Sequence, residues 1–169
     1  MTVAQQKELQ ELFVYHPDSG WFTNKCSRGR AKEGERAGHE MCHGYRRIIV
    51  DYVKHYEHHL AWLYMYGEYP TEIDHANGIR NDNRIVNLRL CNRSQNNFNT
   101  QTVTGISGLT GAYLDKRNRQ WFSKIQFGGQ QKFLGDFASA EEAHAAYLVA
   151  LNEIAGEFAY HNRPTQEAM

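Results

Sequence analysis

The spacing of apolar residues along this 169-residue chain changes several times, and each change marks an element. MTVAQQKELQEL at the start reads as a short polar helix or a loose lead-in. From Phe13 the pattern becomes strand-like, and the turn former PDSG (Pro17 to Gly20) separates it from Trp21-Phe22-Thr23. SRGRAKEGERAG (Ser27 to Gly38) has the composition of a mobile basic loop. GYRRIIV (Gly44 to Val50) is β-branched and aromatic, and YVKHYEHH continues it across a turn near Asp51, which predicts a hairpin. Leu60 to Tyr66 then reads as a short helix closed by Gly67, at the position where helices favour a left-handed residue.

From Thr71 the logic changes. Glu72 to His75 looks like the end of a short strand, Ala76 to Val86 is a loop rich in turn formers, and Asn87 to Cys91 alternates as a half-buried strand does. Asn92 is a suitable N-cap, with Gln95 three residues on as its capping-box partner. The predicted sequence of elements is strand, long polar loop, strand, helix: a ββα unit. QTVTGISGL (101–109) has linker composition. Beyond it, AYLD, QWFSKIQF and QKFLGDF are separated by turns and predict a three-stranded meander. Ser139 to Ala159 follows as a helix opened by the capping box SAEE, with Ala143, Ala146, Tyr147, Ala150, Leu151 and Ile154 in one apolar stripe.

Composition narrows the class. A chain of this length and aromatic content holds one ordinary domain or two small ones, and disorder is not expected. Three cysteines (Cys26, Cys42, Cys91) with no CxxC pair argue against a disulfide framework and against structural zinc. No apolar run reaches the length of a bilayer span, so a cytoplasmic protein with no membrane partner is expected. The net charge is zero, which by itself argues against nucleic acid. The charges are segregated, however. Lys25, Arg28, Arg30, Lys32, Arg36, Arg46 and Arg47 cluster early, Lys116, Arg117, Arg119, Lys124 and Lys132 form a second group, and acids gather in the last segment. Two basic faces with an acidic backing are compatible with a DNA binder.

The candidate chemistry lies in EIDHANGIRNDNRIVNLRLCNRSQNN, where seven asparagines surround one Asp-His pair. If the strand end and the following helix face each other, Asp74 offers a hard carboxylate oxygen and Asn96 a neutral one. Such a pair holds a divalent cation loosely, as suits magnesium, which keeps waters and takes substrate phosphate oxygens. His75, titrating near neutrality, could deprotonate a water aimed at the phosphorus. Adjacent strand residues point to opposite faces, so the pair serves one site only if the strand bends or ends there. Asn77, Asn81 and Asn83 read as turn scaffolding.

The pattern DHxNGxxxDNRxxNLR followed by a QN helix resembles the HNH (ββα-metal) nucleases, most closely the phage and intron homing endonucleases of that group. The resemblance implies His75 as general base, Asp74 and Asn96 as metal ligands, and Asn87 as the residue that holds the His-bearing loop. It extends upstream through GYRRIIV and YEHHLAWLYMYGEYP. There the family shows His-Arg where this chain has His58-His59, so His59 is not assigned to catalysis; His58 is a candidate for a supporting position beside the site. The segment SGLTGAY, QWFSKI and KFLGDFASAEEAHAAY resembles the AP2 DNA-binding domain, in which the sheet enters the major groove and the helix packs behind it. The early arginines of that family are largely replaced here, by Thr110 and Leu114 among others. By position, Lys116, Arg117, Arg119, Gln120, Trp121, Lys124, Gln126 and Lys132 are the candidates for DNA contact, with Arg46 and Arg47 in the N-terminal region.

The expectation is an α+β chain: an HNH nuclease domain over 1–100 with its ββα-metal core at 71–100, a linker over 101–109, and an AP2-like domain over 110–160. Its partner is double-stranded DNA, its cofactor magnesium with manganese as the alternative ion, and its state a monomer or weak dimer. A phage-encoded chain would act in the host cytoplasm. The rival reading is a DNA-binding regulator that has lost cleavage; an RNA-binding module lacks the usual stacking signatures.

Overall fold

The computed structural model describes residues 3–99 and 106–162, and the chain divides into two compact units, 1–92 and 93–163. Each is built from short elements, four α-helices and ten strands among the described residues.

The first unit opens with α1 (Val3–Leu12), followed by the hairpin β1 (Phe13–His16) and β2 (Trp21–Asn24). The hairpin register runs from Phe13 opposite Asn24 to His16 opposite Trp21. Alternation turns Phe13, Tyr15 and Phe22 inward, where Tyr15 and Phe22 rings meet at 4.9 Å. A second sheet has the order β3 (His39–Glu40), β4 (Arg46–Val50), β5 (Val53–Tyr56). Its strands feed directly into α2 (Glu57–Tyr66), which ends where Gly67 takes φ 78° and its N–H reaches the Leu63 carbonyl. The core gathers Leu9, Phe13, Ile48, Leu60, Leu63, Ile73 and Leu88. The last two come from β6 (Ile73–His75) and β7 (Leu88–Leu90), a two-stranded ladder closed by the loop 76–87, whose end is a 3-10 turn at Ile85–Asn87.

Two expectations change here. The basic stretch Ser27 to Gly38 is not a free loop. Its backbone folds back on β2: Asn24 N–H donates to the Glu35 carbonyl, Gly34 N–H to Asn24, and Ala37 N–H to Phe22. The helix predicted from Leu60 begins earlier, at Glu57.

The second unit begins with the six-residue α3 (Arg93–Phe98), which packs on α4 (Ala140–Ala155) and the 3-10 turn after it. Its sheet is the expected meander, in the order β10 (Gln130–Phe137), β9 (Gln120–Phe127), β8 (Ala112–Asp115). α4 lies against all three strands. It is capped by Ser139, whose hydroxyl accepts from Glu142 N–H, while the Glu142 carboxylate reaches back to the Ala138 N–H. Ala112, Ala140 and Ala143 form the small core, with Leu109, Trp121 and Phe137 packed against it. Gly111 is needed there, because a Cβ would stand 2.1 Å from the Tyr147 ring. Most of the predicted linker (101–109) falls outside the described residues.

Candidate active site

His75 is the last residue of β6 and is 4% exposed. The strand stops there because the chain turns at once, with Gly78 N–H donating to the His75 carbonyl at 2.7 Å. The ring Nε2 meets Asn83 Oδ1 at 3.0 Å. Asn83 is fully buried, and its Nδ2 donates to Glu57 Oε2 at 3.0 Å. That same oxygen accepts Arg46 Nε at 2.8 Å, and Arg46 Nη2 donates to the Ala37 carbonyl.

This chain of bonds fixes a proton. The Glu57 oxygen already held by Arg46 acts as an acceptor, so Asn83 must present its NH₂ to it and its carbonyl oxygen to His75. An amide oxygen only accepts, so His75 Nε2 carries the hydrogen and Nδ1 carries the lone pair. Burial pushes the His75 pKa down, against the upward pull of the Asn83 bond and the Asp74 carboxylate. The ring is therefore neutral at neutral pH and able to take a proton.

The loop that follows is held by side chains. Asn87, with no exposure, accepts the Asn77 N–H on Oδ1 and donates from Nδ2 to the Asp82 carbonyl. Asn77 closes the turn onto Ile79 N–H and donates to Asp82 Oδ2. Asp82 is gripped by the Arg84 fork at 2.8 and 2.7 Å, which holds its pKa below the usual carboxylate range.

Other rings wall in His75. His58 lies 4.8 Å away, centroid to centroid, and Tyr45 5.9 Å. His58 is 5% exposed, stacks on Tyr56, and its buried Nδ1 has no hydrogen-bond partner among the described residues. Burial, with His75 and His59 nearby, pushes its pKa well down; His59 is pushed down to about 4, first by burial. His58 thus packs against the His75 ring.

Asp74 has different partners. It stands opposite Arg89 in the ladder and its Oδ2 takes two bonds from that guanidinium, at 2.8 and 2.7 Å. His75 stands opposite Leu88, so the two side chains leave the ladder from opposite faces. Asn96 lies half-buried on α3, in the second unit. Among the described residues no group of three or more His, Cys, Asp or Glu could hold a metal ion. Asp74 is one buried carboxylate already shared with an arginine, and alone it makes no cage of protein ligands for a metal ion.

The expected DNA contacts divide. Arg46 is not available: it is 9% exposed and committed to Glu57 and Ala37. Arg47 is half-buried with its guanidinium 5.7 Å from the Tyr56 ring centroid. Trp121 stands opposite Leu114 and Phe137 on the face that α4 covers, and packs into the core, so it does not belong to an open reading surface. Lys132 is exposed but stands opposite buried Ile125, also leaning to the helix side. Gln120, Lys124 and Gln126 lie on the outer face, where Lys124 Nζ sits 5.1 Å from the Tyr113 ring centroid. Lys116, Arg117 and Arg119 are exposed in the turn between β8 and β9.

Asn83 and Glu57 are absent from the sequence-based candidates. Asn83 looked like one turn asparagine among several, and nothing in its spacing marks it as the partner of His75. The sequence signal for Glu57 is weak, an acid next to His58-His59 just ahead of the expected helix.

Residues 55–98 match the model of a family described as HNH endonuclease. The matched stretch begins within β5 and runs through α2, β6, the asparagine loop, β7 and α3. It supports nuclease activity and a DNA substrate in general terms. No curated protein and no solved structure gives a significant match to the chain.

Proposed function

We propose that this protein is a metal-dependent DNA endonuclease that hydrolyses phosphodiester bonds with His75 as its general base. The observation that carries the reading is the buried Arg46–Glu57–Asn83–His75 chain, which leaves the lone pair on His75 Nδ1. A water aimed at phosphorus loses its proton to that nitrogen. The imidazolium that forms keeps its Nε2–H on Asn83 and gains from the Asp74 carboxylate, the second of the groups that raise its proton affinity. Asn87 keeps loop 76–82 in place and so keeps Asn83 in reach of the ring. Asp74, with Asn96 by the sequence pattern, would hold a divalent ion, magnesium first and manganese as the alternative. That ion supplies positive charge against the oxygens of the scissile phosphate.

The second unit, three strands backed by a helix, reads best as an AP2-like binder of double-stranded DNA. Support comes from the outer-face polar residues Gln120, Lys124 and Gln126 and the basic turn Lys116 to Arg119.

A cleavage assay on mixed-sequence duplex DNA with magnesium tests the reading. Wild type should cut, and His75→Ala should fall by at least about a thousandfold while still binding DNA. Equal inertness of both proteins across magnesium and manganese would leave a DNA-binding regulator.

A further inference from the structure

The first unit carries a groove of about 930 Å³ away from His75, between the β1–β2 hairpin and the β3–β4 edge. Its floor is apolar, with Phe13 and Ile48, and its walls bring Arg28, Arg30, Arg36 and His39 together. Two of these arginines are held in the same way. The Arg28 guanidinium lies 4.8 Å from the Phe13 ring centroid, and that of Arg36 lies 4.1 Å from the Trp21 centroid. A guanidinium held over a ring is fixed in orientation, while its N–H donors remain directed along its own plane.

Neither arginine is held in an ion pair seen among the described residues. Among the described residues the ion pairs are Arg46–Glu57, Arg84–Asp82 and Arg89–Asp74. Arg28 Nε is buried with no hydrogen-bond partner. The one acid lining the groove, Glu35, accepts the Lys32 N–H on Oε2 at 3.3 Å and keeps its negative charge at an exposed position. Burial lowers the Arg36 pKa and the nearby Arg46 lowers it further, against the upward pull of Glu57 and Glu40. Buried donors in native proteins are almost always satisfied, so the unmet Arg28 Nε and the two oriented guanidiniums favour water or an anion in this groove.

We infer that the Arg28–Arg36 groove binds consecutive phosphates of the DNA backbone, as a substrate track separate from the catalytic ladder. This rests on the endonuclease reading for the identity of the anion. The stacked arginines would grip phosphate oxygens and Arg30 would meet the next phosphate at the rim. Such contacts position the duplex and carry no sequence information.

The test uses the full chain, a fluorescein-labelled mixed-sequence duplex, and anisotropy between about 50 and 200 mM salt. The double variant Arg28→Gln/Arg36→Gln should bind about tenfold more weakly, and its slope of log affinity against log salt should be shallower by about two. Arg30→Gln, an exposed change that risks little folding, should make the slope shallower by about one. In cleavage, both should raise KM and leave kcat unchanged. Unaltered affinity and slope in Arg30→Gln and in a folded double variant would overturn the track while leaving the nuclease intact. Wild type that binds with the predicted slopes but never cuts would retain the track and overturn the nuclease. Wild type with no affinity for DNA would overturn both.

Discussion

Asn83 shows how one neutral side chain can set the protonation of another. Glu57 orients its amide, and the amide in turn decides which nitrogen of His75 carries the hydrogen. Asn83→Ala removes both bonds. Cleavage should lose about ten- to a hundredfold in kcat with KM nearly unchanged, and stability should fall by about 2 kcal/mol as a buried Glu57 oxygen loses a donor. The Asn83 bond raises the His75 pKa, so its loss should also move the acid limb of the rate–pH profile to lower pH. A merely structural role would leave that limb in place. Histidines also set an acid boundary for the fold. His59 is pushed from 6.5 to about 4, and His55 and His58 shift the same way. Their folded pKa values lie below the unfolded ones, so they contribute stability above about pH 6.5 that is lost as pH falls towards about 4. Urea unfolding across that window should show the loss. His59→Gln should remove on the order of 2 kcal/mol of the pH dependence, a figure reduced for its partly exposed ring.

Among the elements, the β1–β2 turn reaches furthest beyond its own length. Gly20 sits at φ 73°, and a Cβ on it would come within 2.4 Å of both the Arg84 nitrogen and the Asn83 carbonyl carbon. Tyr15 on the same hairpin donates its hydroxyl to the Asn83 carbonyl at 2.7 Å. Gly20→Ala should therefore cost about 3 kcal/mol or more in denaturant unfolding and lower kcat as well, since the displaced residue is the partner of His75. The hairpin itself was legible in the sequence, because alternation around PDSG is a local signal. Its contact with the loop sixty residues later was not, since no spacing rule connects Gly20 to Asn83. The stretch Ser27 to Gly38 failed for the same reason: composition suggests freedom, and long-range backbone bonds to Asn24 and Phe22 remove it. In QWFSKIQF the alternation gives two faces but not which one the helix covers. Trp121 is a DNA-contact candidate by position, and the packed Leu109, Phe137 and Ala112 place it inward.

For the whole molecule, zero net charge conceals segregation: arginines line the groove of the first unit, and acids occupy the helix α4 of the second, beginning with Glu141 and Glu142. Ending the chain at residue 105 would remove α4, on which α3 packs. A six-residue helix does not persist alone in water. We expect that truncation to lose target selectivity and most cleavage, because Asn96 goes with the helix, while non-specific DNA binding survives through the first unit. Comparison of cleavage rates and of binding in filter assays would check both halves. Full cutting by the truncated chain would remove Asn96 from the proposed site.

The chain of bonds that ends on His75 begins at Ala37 and Arg46, and its midpoint is clasped by Tyr15 and Gly20. All four lie outside residues 55–98, where the family pattern is recognised. The proposed catalytic geometry is therefore not portable. A graft of the recognised segment alone into another protein would carry the histidine and its loop, and leave behind the parts that tell its imidazole where to keep its proton.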